Sequence, residues 1–192
     1  DTIDDPDTYD EDYTPSGKLN YTSIDYRRKL RGLSSVIRHI GSDGSHSGPH
    51  ILGVSEVENR QVLEDLISQP ALDSLPYAIA HKDSPDLRGI DVALINREDL
   101  FFPLSSESFE VRLWDESGQR VFTRDVLWVQ GILDAEEIHL LVNHWPSRRG
   151  GASRSSSRRM KAAYVNKKIM ERIRSENPNP KIPVLGDCND DP

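Results

Sequence analysis

Residues 108–133 read SFEVRLWDESGQRVFTRDVLWVQGIL. Apolar residues recur on both sides of Glu116–Gln119, and the Ser-Gly pair inside that segment marks a turn. The stretch predicts strand, turn, strand, an antiparallel pair built from neighbouring sequence. That pairing decides the fold class. A doubly wound fold sets a helix after each strand, and here none intervenes.

Working outward, GIDVALIN at 89–96 is almost continuously apolar and predicts a strand buried on both faces. EIHLLVNHWP at 137–146 predicts another strand, reached through DAEE. Residues 153–177 predict the longest helix, with Ala162, Val165, Ile169 and Ile173 on its core face. KIPVLGD at 181–187 predicts the final strand. Upstream, residues 23–41 predict a helix whose apolar face is Tyr26, Leu30, Leu33, Ile37 and Ile40, with Gly41 as its stop. Residues 50–59 predict a buried strand running into polar residues. Residues 59–69 predict a short helix with Val62, Leu63, Leu66 and Ile67 inward. Residues 1–22 are acidic and aperiodic and predict a loop or arm. The order is helix, strand, helix, a run of strands, helix, strand. It predicts an α/β (α+β) domain over 1–192, with two packed mixed β-sheets and helices outside.

Composition bounds the function. With 35% hydrophobic and 29% charged residues, the 192-residue chain has matter for a core and a solvated surface. No apolar run approaches the ~20 residues of a membrane span. The net charge of −8 argues against coating nucleic acid by charge alone. A local basic groove is still available, because PSRRGGASRSSSRRMK at 146–161 concentrates Arg148, Arg149, Arg154, Arg158, Arg159 and Lys161. A single cysteine, Cys188, excludes an internal disulfide framework and a cysteine-rich zinc site.

Three strands end in residues capable of chemistry. Glu56 follows ILGVS, His144 follows LLVN, and Asp187 and Asn189 follow VLG. Side chains alternate along a strand, so Asp187 and Asn189 share a face and Cys188 points away. Such carboxylates and an amide suit a hard cation such as Mg²⁺ (or Mn²⁺) that also meets substrate phosphate oxygens. Taken singly, each residue has a packing explanation. Glu56 sits before a helix, His144 suits a core, and Asp and Asn suit a strand-to-turn corner. Their common placement at strand ends carries the chemical reading.

LGVSEVEN (52–59), RGIDVALINR (88–97), TRDVLWVQ (123–130), LLVNHWPSRRGG (140–151) and VLGDCND (184–190), in this order and spacing, resemble the endonuclease/exonuclease/phosphatase family, and most nearly its bacterial members. The likeness runs from Arg27 onward. It implies the deoxyribonuclease I-like fold, a four-layer α/β/β/α sandwich. It implies a metal-dependent hydrolase of phosphodiester or phosphomonoester bonds, most readily a nuclease or phosphodiesterase using in-line water attack. By the same resemblance Glu56 is the metal-binding glutamate. Asp187 orients the water near the metal, Asn189 contacts the scissile phosphate, and His144 acts on phosphate or leaving group. Arg124 contacts phosphate, and Asp91 falls near the acid that orients the histidine. Arg148 and Arg149 are expected to hold substrate phosphate. The expected partner is a phosphate-ester substrate, nucleic acid among the candidates, taken by a monomer. No aromatic platform for single-stranded bases stands out in the sequence.

The departures from the family pattern set further expectations. Its first strand with a metal-site asparagine and its closing Asp–His pair have no counterpart here, and Cys188 replaces an aromatic. The 192-residue chain is therefore expected to turn over at least ~10²-fold more slowly than an intact enzyme. A catalytically inactive phosphate- or nucleic-acid-binding fragment is one alternative. A haloacid dehalogenase-like phosphatase is another, because GDCNDD echoes its late motif. That class needs D-x-D straight after an early buried strand, and Asp5-Pro6-Asp7 follows only DTID.

Overall fold

The computed structural model describes residues 8–9, 11–41, 48–148 and 151–190. In chain order its elements are helix α1 (Ser23–His39), strand β1 (Ile51–Val57), helix α2 (Arg60–Ile67), strands β2 (Tyr77–His81), β3 (Asp91–Arg97), β4 (Phe101–Phe109), β5 (Leu113–Trp114), β6 (Arg120–Val121), β7 (Val126–Leu133) and β8 (Glu136–His144), helix α3 (Ala152–Glu176) and strand β9 (Val184–Asp187). A 3-10 turn, Glu11–Tyr13, precedes them.

Strand alternation sorts the apolar residues into three cores. Val92 and Leu94 of β3 meet Leu127 and Val129 of β7 and Leu140 and Val142 of β8 in the middle core. Ala93 and Ile95, pointing the other way, meet Leu30 and Ile37 of α1 and Leu63 and Leu66 of α2. Val126, Trp128 and Leu141 meet Ala162, Ile169 and Ile173 of α3. The result is the expected α/β/β/α sandwich. It also explains why DVALI carries no polar alternation: β3 is buried on both faces.

One sheet has the order β1-β3-β2, and the other β4-β7-β8-β9. The first is antiparallel throughout its described pairings. The second carries one parallel pair, β8–β9, and α3 is the crossover that this pairing requires. Gly53 faces across the middle core. A Cβ there would lie 3.1 Å from Leu185 and 3.3 Å from Val142, so the glycine lets β1 approach β8 and β9 closely.

Three sequence expectations change. Residues 108–133 do not form one hairpin. Phe109 pairs with Val126 in the large sheet, while Leu113↔Val121 closes a separate two-stranded ribbon inserted between them. Leu113 and Val111 leave the sheet plane to pack against α3. Strands β2 and β4 were not legible. β4 is an edge strand with exposed residues at most positions, and its Pro103 sits at a bulge where no ladder donor is required. Leu33 on α1 and Ile40 just past its end are exposed, and Ser34 takes the buried place between Leu30 and Ile37. The small hydroxyl returns its proton to Arg31 O at 3.0 Å, so the helix docks closely there at no polar cost.

Candidate active site

Glu56 does not follow β1 but interrupts it. Ser55 pairs with Val92 and Val57 with Asp91, so Glu56 is the extra residue of a β-bulge. Its φ is +59°, in the left-handed region that a non-glycine residue enters at a cost of about 1–2 kcal/mol. The bulge turns the Glu56 carboxylate toward β8. Its Oε1 lies 3.9 Å from His144 Nε2, with two-thirds of the side chain exposed against 4% for the histidine.

His144 ends β8 and is the ladder partner of Asp187 at the end of β9. Gly186 makes that register possible. Its φ is +109°, and a Cβ there would fall 1.9 Å from Asn143 O. Burial pushes the His144 imidazole below its ordinary value, and the Arg124 charge adds to this. The negative charges of Glu56 and Asp187 oppose it. Among the described residues His144 Nδ1 is buried without a hydrogen-bond partner. Asn189, at φ +51°, donates its backbone N–H to Asp187 Oδ1 at 2.7 Å, and its side-chain amide donates to Trp145 O at 2.8 Å. Glu56, His144, Asp187 and Asn189 thus meet at one edge of the sandwich.

The buried pair Asn143 and Asn166 braces this edge. Each amide donates to the other, at 3.1 and 2.7 Å, and Trp145 Nε1 donates to Asn143 Oδ1 at 2.9 Å. The exchange locks the end of β8 onto α3.

Arg124 is 5% exposed, and its nitrogens face protein. Nε donates to His144 O at 3.2 Å, Nη2 to Trp145 O at 2.8 Å, and Nη1 to Asp86 Oδ2 at 2.9 Å. The guanidinium clamps the backbone that carries His144. Asp86 had no signal in the sequence, because its partner lies 38 residues away and only the fold brings them together. Asp91, expected beside the catalytic histidine, instead binds His81 Nε2 at 3.0 Å and the Ser84 hydroxyl at 2.6 Å. The ladder explains this: Asp91 shares the face of Ala93, whose partner on β2 is His81. Arg148 donates to Asn189 O and Asp190 Oδ1, both at 3.0 Å, and Arg159 holds the other Asp190 oxygen. The loop arginine is thus tied to the loop carrying Asn189. Arg149 lies outside the described residues.

Glu56 and Asp187, the two carboxylates whose charges act on His144, are oxygen donors of the kind a hard divalent cation takes. His81, Asp83 and Asp91 also lie close enough to be considered for a metal. There Nε2 faces Asp91 at 3.0 Å and Nδ1 faces Asp83 at 3.8 Å, so opposite sides of one ring address different carboxylates. That is a hydrogen-bonded histidine more than a chelate. A neighbouring cleft of about 390 Å³ has Glu58, Asp83, Asp86 and Asp91 in its lining.

Solved structures share the fold. A humanized D. rerio TDP2 is 16% identical with a TM-score of 0.60, covering 88% of this chain and 62% of its own. A mannosyl-6-phosphatase of Bacteroides thetaiotaomicron is 15% identical with a TM-score of 0.62, covering 87% and 58%. An endonuclease/exonuclease/phosphatase from Bacteroides vulgatus is 18% identical with a TM-score of 0.62, covering 96% and 63%. The chain therefore spans less than two thirds of the length of each. No curated protein matches it in sequence. The family model described as Endonuclease/Exonuclease/phosphatase family matches residues 1–192, so the chain belongs to that family.

Proposed function

We propose that this chain carries the catalytic residues of a divalent-metal-dependent phosphoesterase acting by in-line attack of water, in a nuclease or phosphodiesterase. One observation carries the reading: a strained bulge presents an exposed carboxylate, Glu56, to a buried histidine whose ladder partner is Asp187. Strain of this kind persists where the surrounding fold enforces it, and it gathers at functional sites.

Glu56 and Asp187 would hold Mg²⁺ or Mn²⁺, which supplies charge stabilisation at the phosphoryl oxygens when bound. Asp187 accepts a hydrogen bond from the attacking water and aims it, and the proton that the water sheds as the P–O bond forms passes to bulk solvent. Asn189 keeps one amide hydrogen on Trp145 and offers the other to a phosphate oxygen. His144, held neutral by burial, gains a proton when an anionic phosphate arrives, because a nearby negative charge raises its pKa. The imidazolium then donates to the leaving oxygen. Arg124 is a positioning residue acting through the backbone of His144 and Trp145, and Arg148 positions Asn189 in the same way.

The scaffold does not select the bond. Among the similar structures one is named a mannosyl-6-phosphatase, and a D. rerio TDP2 is complexed with single strand DNA product. The test pairs metal binding with turnover. Mn²⁺ binding followed by electron paramagnetic resonance reads the site directly. Mg²⁺-dependent hydrolysis of bis(nitrophenyl)phosphate, plasmid, single strands and inositol phosphates reads the chemistry. Glu56→Gln should abolish Mn²⁺ binding and lower any turnover by ~10²-fold or more. Undiminished Mn²⁺ binding by the variant would remove Glu56 from the site.

A further inference from the structure

The ribbon β5–β6 leaves the large sheet between Phe109 and Val126. At that edge β7 pairs with the last residues of β8, Leu127 opposite Val142, two residues before His144. The segment returning from the ribbon runs through Phe122 to Arg124, whose Nε donates to His144 O. The ribbon is therefore rooted at the candidate site.

Its two faces differ in kind. Leu113 and Val121 turn inward onto the α3 core. The outward face carries Trp114, its ladder partner Arg120, and Phe122 two residues beyond. Trp114 is 54% exposed and Phe122 41%. The Arg120 guanidinium carbon lies 5.2 Å from the Trp114 ring centroid and 5.6 Å from that of Phe122, so one cation touches both rings. Glu110 fixes this cation and also holds Arg112 Nε at 2.6 Å. Asp115 closes the turn by accepting from the backbone N–H groups of Ser117 and Gln119, each at 2.9 Å. The rings are held in place before any partner arrives.

We propose that this face is a stacking platform for an unpaired nucleobase, and that the site beside it takes single-stranded nucleic acid. The proposal rests on the phosphoesterase reading of that site. Large rings left in water beside a guanidinium offer flat π surfaces, and every base has a matching face. Two rings of about 150–250 Å² each fall short of the roughly 1,000 Å² that a stable protein interface buries. Glu110 pairs with both Arg112 and Arg120, so these two cations are already engaged and offer little to an anionic lipid surface. Stacking, with little help from charge, is the contact that remains. The sequence hid the platform because Trp114 and Phe122 belong to different strands and become neighbours only through the Trp114–Arg120 pairing.

The test is fluorescence anisotropy in EDTA, so that binding is read without catalysis. The probes are a labelled oligothymidylate, an abasic strand of equal length, and a duplex. Trp114→Ala and Phe122→Ala should each weaken oligothymidylate binding about 5- to 100-fold. Trp114→Phe, which keeps a ring, should retain most of the affinity. Abasic-strand binding and bis(nitrophenyl)phosphate hydrolysis should not change. Equal loss on the abasic strand, no loss on oligothymidylate, or equal loss on the duplex would overturn the platform. If the unaltered chain stacks bases yet Mn²⁺ never binds, the phosphoesterase reading fails and the platform stands.

Discussion

The clamp formed by Arg124 and Asp86 predicts a coupled loss. The pair is 2.9 Å apart with side chains 5% and 6% exposed. Asp86→Ala leaves a guanidinium buried without its counter-charge, and breaking one partner of such a pair costs about 3–5 kcal/mol. For a chain of this size each kcal/mol shifts the melting temperature by roughly 2–4 °C, so the fall should be about 6–20 °C. Arg124→Met removes the charge and also the donors to His144 O and Trp145 O. The double variant Asp86→Ala/Arg124→Met leaves no buried charge, so it should cost less than the two single losses added together. The surplus should be about 1–3 kcal/mol. A second readout ties the clamp to the site. The Arg124 charge helps hold the His144 imidazole low, so Arg124→Met should raise the midpoint of its titration. Thermal unfolding by circular dichroism gives the cycle, and imidazole proton resonances give the titration. A cycle additive within about 0.5 kcal/mol would show that the pair is not coupled. A His144 midpoint that stays put or falls would show that Arg124 does not reach the site electrostatically.

Two further outcomes follow from the same edge of the sandwich. At Glu56, φ +59° favours glycine, so Glu56→Gly should be more stable than Glu56→Ala by about 1–2 kcal/mol in urea unfolding while both lose Mn²⁺ binding; equal stability would mean the bulge relaxes freely. His144 has a folded pKa below its ordinary 6.5, so in the window between the two the unfolded chain binds the extra proton. Its contribution to stability is present above pH 6.5 and is lost as pH falls through the folded value. His144→Gln should flatten the rise of unfolding free energy across that window by up to about 1.4 kcal/mol per pH unit, and an unchanged slope in urea titrations at stepped pH would refute the assignment.

Much of this architecture is legible in residue order. The helix periodicity at Tyr26, Leu30 and Ile37 and the apolar run Asp91–Arg97 appear where periodic burial predicts them. His144 and Asp187 stand at the ends of β8 and β9, as the apolar runs before them suggest, whereas Glu56 lies inside β1 at a bulge that the sequence does not announce. β4 could not be read that way. As an edge strand it buries little, and solvent does not select an alternating pattern.

Which acid serves which base is a different kind of information. Asp91 reads as the partner of His144 and bonds His81, while Asp86, silent in sequence, holds Arg124 beneath His144. Arg124 and Arg148 read as phosphate ligands, yet their donors are engaged by His144 O, Trp145 O, Asn189 O and two aspartates. Residue type and spacing encode what a side chain can do, because hydrophobicity and backbone preference act locally. Partner choice depends on ladder register and on the close approach of two sheets at Gly53. Those are properties of the folded packing, where residues far apart in sequence compete for the same few ångströms.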